Sequence, residues 1–181
     1  MRAGEPMTER KRPGESAPVV AVVAVVAGSR SDSKLIDEAA RTLSEFDVPC
    51  EKRIISAHRT PEQALEFARN ARSRGLKVII AIAGKAAHLA GVISSATTLP
   101  VIGVPAKTPD LGGLDSLLST VQMPSGVPVA TVGIGSAENA ALLAVAVLAL
   151  SDEALASRWR DYKAKLAERV QADDLAVKKG D

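Results

Sequence analysis

Cysteine, histidine and aromatic residues are all scarce in this 181-residue chain, and each shortage closes off a class of function. With Cys50 alone no intramolecular disulfide can form, and two histidines, His58 and His88, cannot build a zinc cluster at standard spacing, so no metal is expected. Aromatics are 2%, namely Phe46, Phe67, Trp159 and Tyr162, too few for a base-stacking platform on single-stranded nucleic acid. Excess charge is missing as well: 23 basic against 21 acidic residues leave a net +2, with no field to attract a phosphate backbone. Nucleic acid is therefore not an expected partner, and lone-cysteine usage suits a reducing, cytoplasmic setting. Long apolar runs are also lacking, since Ala140–Leu150 falls well short of the roughly 20 residues that cross a bilayer. Arg10, Lys11 and Arg12 before the run Val19–Ala27 imitate a secretory leader. The Val/Ala content of that run, Pro18 just ahead of it, and Glu5, Glu9 and Glu15 among the basic residues fit a buried strand better.

What is present is 46% hydrophobic residues, mostly small aliphatics, enough to build one substantial core. Met1–Ala17 mixes Gly, Pro, Glu and Arg without apolar period and reads as a disordered extension (1–17), followed by an α/β domain over 18–151 and a C-terminal amphipathic helix over 152–181. Within the domain, strand-like and helix-like segments alternate. Strands are predicted at Val19–Ala27, Cys50–Ile55, Val78–Ala83, Leu99–Val104 and Val129–Val132. Helices are predicted at Ser33–Asp47, from Thr60 to before Gly75, and over about Ala86–Ser95, Leu114–Val121 and Ala137–Leu150. Thr60, Pro61 and Gln63 read as N-cap, first-turn proline and capping-box partner. The helix over Ala137–Leu150 is apolar nearly all round, which predicts burial on several sides, in part against another subunit. Strict βα alternation with doubly buried strands predicts a parallel sheet with helices on both faces, with ligands taken at the carboxyl ends of its strands.

The chemistry-bearing residues fall in those loops. Gly28-Ser29-Arg30-Ser31-Asp32 opens a helix with small residues, hydroxyls and an acid, which suits an anion with Asp32 accepting from hydroxyls, or else an ordinary capping turn. Ser56-Ala57-His58-Arg59-Thr60-Pro61 sets a histidine able to act as acid or base next to an arginine able to grip phosphate in two-pronged fashion; a histidine bonded to backbone is the plainer reading. Gly84-Lys85-Ala86-Ala87-His88-Leu89 places the second histidine on a mostly apolar helix, where it could equally be structural. Gly133–Ser136 offers a further helix N-terminus. Convergence at one sheet edge favours the functional reading of these loops together.

Those motifs, with Leu-Pro-Val-Ile-Gly-Val-Pro at 99–105 and Gly-Leu-Asp-Ser-Leu-Leu-Ser-Thr-Val-Gln-Met-Pro at 113–124, resemble the bacterial N5-carboxyaminoimidazole ribonucleotide mutases, over about Val20–Leu150. The resemblance implies a three-layer α/β/α sandwich with a flavodoxin-like parallel sheet of about five strands. It further implies a homo-octamer with active sites between subunits, no cofactor, and transfer of a carboxylate from an exocyclic amine to a ring carbon of a nucleotide substrate. By it, His58 is the proton-transfer residue, Ser29 and Arg59 hold phosphate, Asp32 takes the ribose hydroxyls, and Ser31 and Ser56 line the site. Gly84, Lys85 and Ala86 would form the third loop, and His88 and Leu89 would border a CO2 pocket. The chain departs from that pattern at Ile82, Lys85 and Ala90, where Gly, Gly and Pro are usual, and over Ser136–Ala141, where Glu138 and Ala141 replace glycines. These replacements would shrink or recharge the pocket. They leave open a paralogue acting on another heterocyclic nucleotide, or a non-catalytic scaffold. Lys85 and Glu138 are expected to form a compensating ion pair across it.

Overall fold

A computed structural model describes residues 20–179. The extension expected over Met1–Ala17 lies outside the described residues. Five parallel strands, β1 (Val23–Ala27), β2 (Cys50–Ile54), β3 (Val78–Ala83), β4 (Val101–Pro105) and β5 (Ala130–Thr131), form one sheet in the order β2-β1-β3-β4-β5. Among the described residues six α-helices accompany them: α1 (Ser33–Glu45), α2 (Pro61–Asn70), α3 (Leu89–Ser95), α4 (Leu114–Val121), α5 (Ala137–Ala149) and α6 (Glu153–Lys179). The parallel sheet is the one expected from the alternation, and its flavodoxin-like order, which the resemblance implied, reverses direction between β1 and β3.

Each residue of β1, β3 and β4 is buried, so these strands read as unbroken apolar runs, whereas β2, at the sheet edge, carries Glu51, Lys52 and Arg53. The pleat sends alternate side chains to opposite faces. Val23, Val25, Ile80, Ile82 and Val104 join α1 and α5 in one core, while Ala24, Val26, Ile79 and Ala81 join α2 and α3 in the other. Small residues set the layer spacing. A Cβ on Gly103 would lie 2.8 Å from Val129 Cγ1 and nearer still to Thr120 Cγ2, so β4 needs a glycine for α4 and the β5 approach to close on it.

Strand and helix boundaries move by a few residues where pairing or loop chemistry overrides the apolar pattern. The first strand begins at Val23 rather than Val19, and the fifth shrinks to Ala130–Thr131. Helix α3 starts at Leu89, not Ala86, because Lys85 takes φ +56° and the chain turns before winding. Thr60 holds the N-cap position of α2 but its side chain does not cap the helix. Its hydroxyl donates to the Ser56 carbonyl (3.0 Å) and accepts from the Ser56 N–H (3.2 Å), closing the preceding loop.

The apolar helix α5 is covered within the chain itself. Its core side chains pack with α1, and the partly buried Leu142, Leu143 and Val147 share their cluster with Trp159 and Tyr162 of α6. None of residues 140–149 is exposed. Leu142, Leu143 and Val147 stay partly exposed even so. Phe46, Trp159 and Tyr162 stack together, with Trp159 and Tyr162 centroids 5.6 Å apart, and pin the first half of α6; beyond Tyr162 nearly every residue is exposed. Exposed leucines and a valine at helical spacing, Leu114, Leu118 and Val121, mark α4 instead.

Candidate active site

The loops after β1, β2, β3 and β4 enclose a cleft of about 720 Å³ at the carboxyl edge of the sheet, across the point where the strand order reverses. His58 and all ten other residues expected at the site line it: Ser29, Ser31, Asp32, Ser56, Arg59, Gly84, Lys85, Ala86, His88 and Leu89. Parallel strands in register deliver these loops side by side, so residues up to 81 positions apart in sequence meet there (28 to 109).

The loop after β1 is a short 3-10 turn, Arg30–Asp32, capped by Ser29, whose hydroxyl accepts from the Ser31 N–H at 3.3 Å. Asp32 therefore does not serve as a cap: it starts α1 with no side-chain bond to the helix backbone. The Ser31 hydroxyl donates to Asp32 Oδ1 at 3.3 Å. Partial burial pushes the Asp32 carboxyl above its ordinary 3.8, against a smaller downward pull from Ser31. A desolvated carboxylate with free lone pairs is suited to hydroxyl donors. Since the folded-state pKa is the higher one, protonation favours the native state, an advantage present in full below 3.8 and lost as pH rises through the folded value. Asp32→Asn should accordingly melt above the unmodified protein at pH 7, with the gap closing in acid; identical melting temperatures at neutral pH would contradict the assignment.

The loop after β2 is built to present His58 and Arg59. Besides the Thr60 closure, Ser56 Oγ accepts from the Arg59 N–H at 3.2 Å and from Arg59 Nε at 3.3 Å, while Arg59 Nη2 donates to the Gly28 carbonyl at 3.0 Å. The guanidinium thus bridges the first two loops and keeps further N–H groups available for an anion. His58 is exposed and reaches the third loop, where its Nε2 lies 2.8 Å from Nδ1 of His88, the rings edge to face. One hydrogen lies between these nitrogens, so the two rings cannot both be doubly protonated while the contact holds. His88 stands in the loop before α3, with its side chain free of any capping bond, and not on the helix as the sequence predicted.

The glycine replacements act differently from expectation. Ile82 is fully buried in the core, Ala90 is buried on the inner face of α3, and Ala141 is buried in α5, so of these only Lys85 reaches the cleft. Lys85 does not pair with Glu138. Its Nζ lies 2.6 Å from Asp110 Oδ2, in the loop after β4, whereas the Glu138 carboxylate accepts from the Tyr162 hydroxyl at 3.4 Å. The reason is placement: α5 starts against α1, where the Glu138 N–H donates to Glu38 Oε1 at 3.3 Å, away from the cleft. The Gly133–Ser136 turn likewise lies outside it, and the N–H groups of Gly135, Ser136 and Ala137 bond to carbonyls of Pro105, Gly133 and Gly135. Sequence reasoning missed Lys107, Thr108 and Pro109, which form the remaining wall. The available signal was their position directly after the fourth strand of a parallel sheet. Among the described residues no cluster of His, Cys, Asp and Glu could hold a metal, and no helix is long and apolar enough to cross a membrane.

Fold and cleft together define a flavodoxin-like α/β protein with an arginine, a partly desolvated acid and a histidine pair at its switch point. The chain belongs to the AIR carboxylase family, whose model matches residues 22–169, from the first strand well into α6. It is 54% identical over 157 residues to the N5-carboxyaminoimidazole ribonucleotide mutase of Mycobacterium leprae, covering 87% of this chain and 92% of that protein. To the protein of the same name from Pyrococcus horikoshii it is 55% identical over 150 residues, covering 83% and 85%. Its backbone matches the crystal structure of Treponema denticola PurE with a TM-score of 0.77 at 29% identity, covering 84% of this chain and 95% of that one.

Proposed function

We propose that the chain is an N5-carboxyaminoimidazole ribonucleotide mutase, an isomerase of purine biosynthesis acting in the cytoplasm. The observation that carries this reading is the meeting of Arg59, Asp32 and the His58–His88 pair in one nucleotide-sized cleft, in a chain more than half identical to proteins of that name. Arg59, Ser29 and Ser31 hold the substrate phosphate, and Asp32 accepts from the ribose hydroxyls. The heterocycle then lies over the third loop, beside His58, His88 and Leu89.

The reaction needs one proton moved twice. As the carbamate C–N bond breaks and CO2 leaves, its electron pair stays on the exocyclic nitrogen, which takes a proton from His58. Carbon four of the electron-rich aminoimidazole then attacks the retained CO2, and His58 recovers a proton from that carbon as aromaticity returns. The histidine ends as it began. No cofactor is required, because the aminoimidazole is itself the carbon nucleophile. His88 orients its neighbour through the hydrogen bond between the two rings.

Purified protein incubated with N5-carboxyaminoimidazole ribonucleotide should convert it to the 4-carboxy isomer, followed spectroscopically against a control without protein; no conversion above the control rejects the proposal. The same reading carries a homo-octamer with its sites between subunits. Supporting it are the exposed Leu114, Leu118 and Val121 on α4 and the uncovered outer half of α6, which offers Leu166 and Val170 to a neighbouring subunit. Light scattering at micromolar concentration should give about eight times the chain mass of 18.8 kDa. A monodisperse monomer would overturn the octamer and the shared site alike.

A further inference from the structure

Lys85 lines the same cleft as Arg59, in a conformation that side chains rarely adopt, with φ +56°. Strain of this kind persists where surrounding structure holds it, and it gathers at ligand clamps. The strained backbone delivers an ammonium to the mouth of the cleft, where it meets a carboxylate, Asp110 Oδ2, at 2.6 Å. Both partners are largely exposed, at 69% and 60%, so their tie is weak and open to competition by any other carboxylate presented there. Asp110 belongs to the loop whose Lys107, Thr108 and Pro109 line the cleft, and that loop is anchored by the Thr108 hydroxyl on the Asp115 carboxylate (3.2 Å).

The spacing of the sheet places Lys85 relative to a bound nucleotide. Arg59 follows β2 and Lys85 follows β3, two strands along, and neighbouring strands are about 4.8 Å apart, so the two loops leave the sheet on the order of 10 Å apart. That matches the distance from the phosphate to the heterocycle of a ribonucleotide. We infer that Lys85 is a specificity-determining residue whose ammonium binds the carboxylate at the heterocycle end of the substrate, with Asp110 as an internal carboxylate that competes for it. The inference rests on the nucleotide reading of the cleft. It separates two jobs: Arg59 grips what every nucleotide carries, and Lys85 tells a carboxylated ring from a bare one.

Calorimetric titration of the whole protein with 4-carboxy-5-aminoimidazole ribonucleotide and with 5-aminoimidazole ribonucleotide tests this without requiring turnover. Lys85→Gly suits the positive φ and should fold normally; it should weaken binding of the carboxylated nucleotide about tenfold and leave the bare one unchanged within about twofold, the loss of one charge-assisted contact. Asp110→Asn should tighten binding of the carboxylated nucleotide several-fold by removing the competitor. The inference is overturned if Lys85→Gly weakens both nucleotides equally or neither. It is likewise overturned if Lys107→Ala, rather than Lys85→Gly, erases the preference. Failure of the unmodified protein to bind either nucleotide would instead strike the nucleotide reading itself.

Discussion

Replacing His58 by asparagine should lower turnover by about two to four orders of magnitude while leaving the fold intact, the usual span for losing a general acid-base group. Asparagine keeps a hydrogen-bonding group near the position of the imidazole Nδ1 but cannot carry a proton through the reaction. The loop that presents position 58 is held by Ser56, Arg59 and Thr60 rather than by the imidazole, so the substitution removes chemistry and not architecture. Because the proton is moved in the chemical steps and not in binding, kcat should fall with KM nearly constant. Steady-state kinetics on a variant whose circular dichroism and melting match the parent would show this. Normal turnover in such a variant would remove His58 from the mechanism.

A histidine pair rather than a lone histidine makes that result more informative. The 2.8 Å contact ties His58 Nε2 to His88, so His58→Asn would also leave the Nδ1 of His88 without its present partner. Neither histidine could be assigned from its own surroundings in sequence. His58 followed a strand and preceded a well-marked helix start, which placed it at the strand ends. His88 was hidden by its neighbours, since Ala86, Ala87, Leu89 and Ala90 read as one continuous helix. Only the left-handed turn at Lys85 delays that helix to Leu89 and frees His88 to face the cleft, and no residue other than glycine advertises such a turn.

Order along the chain and the apolar pattern were enough for the sheet. Unbroken runs such as Val78–Ala83 admit only strands covered on both faces, and alternating them with helices leaves little choice but a parallel, doubly wound arrangement. What periodicity could not supply was side-chain direction at loop ends. Lys85 and Glu138 looked like partners because both replace glycine, in loops after the third and fifth strands that were expected to lie close together. Glu138, however, lies one residue inside α5, and the packing of α5 on α1 turns it to Glu38 and Tyr162. Likewise α5, apolar all round, was read as buried on several sides, and within the chain it is the aromatic cluster of Phe46, Trp159 and Tyr162 that brings α6 across it. Long-range placement of two or three aromatic rings decided what covers that helix, and spacing within a single segment carries no record of it.

Arg59→Ala should raise KM about ten- to a hundredfold with a much smaller change in kcat, because the guanidinium grips a part of the substrate that takes no part in bond making. Arg59 already donates to the Gly28 carbonyl (3.0 Å) and to Ser56 Oγ (3.3 Å), which orients its plane between the two loops before any ligand arrives. A phosphate entering there meets donors that need no rearrangement, and charge-assisted bonds of this type are each worth roughly 1.5–3 kcal/mol. Arg59→Lys keeps the charge but loses the planar fork and both loop contacts, so it should recover only part of the affinity. Kinetics across the three proteins at fixed ionic strength separate the contributions, with the lysine variant expected between the other two. An unchanged KM for Arg59→Ala would move the phosphate away from the first two loops. A fall in kcat at constant KM would instead mean that the arginine acts on the transition state and that the nucleotide lies the other way round in the cleft.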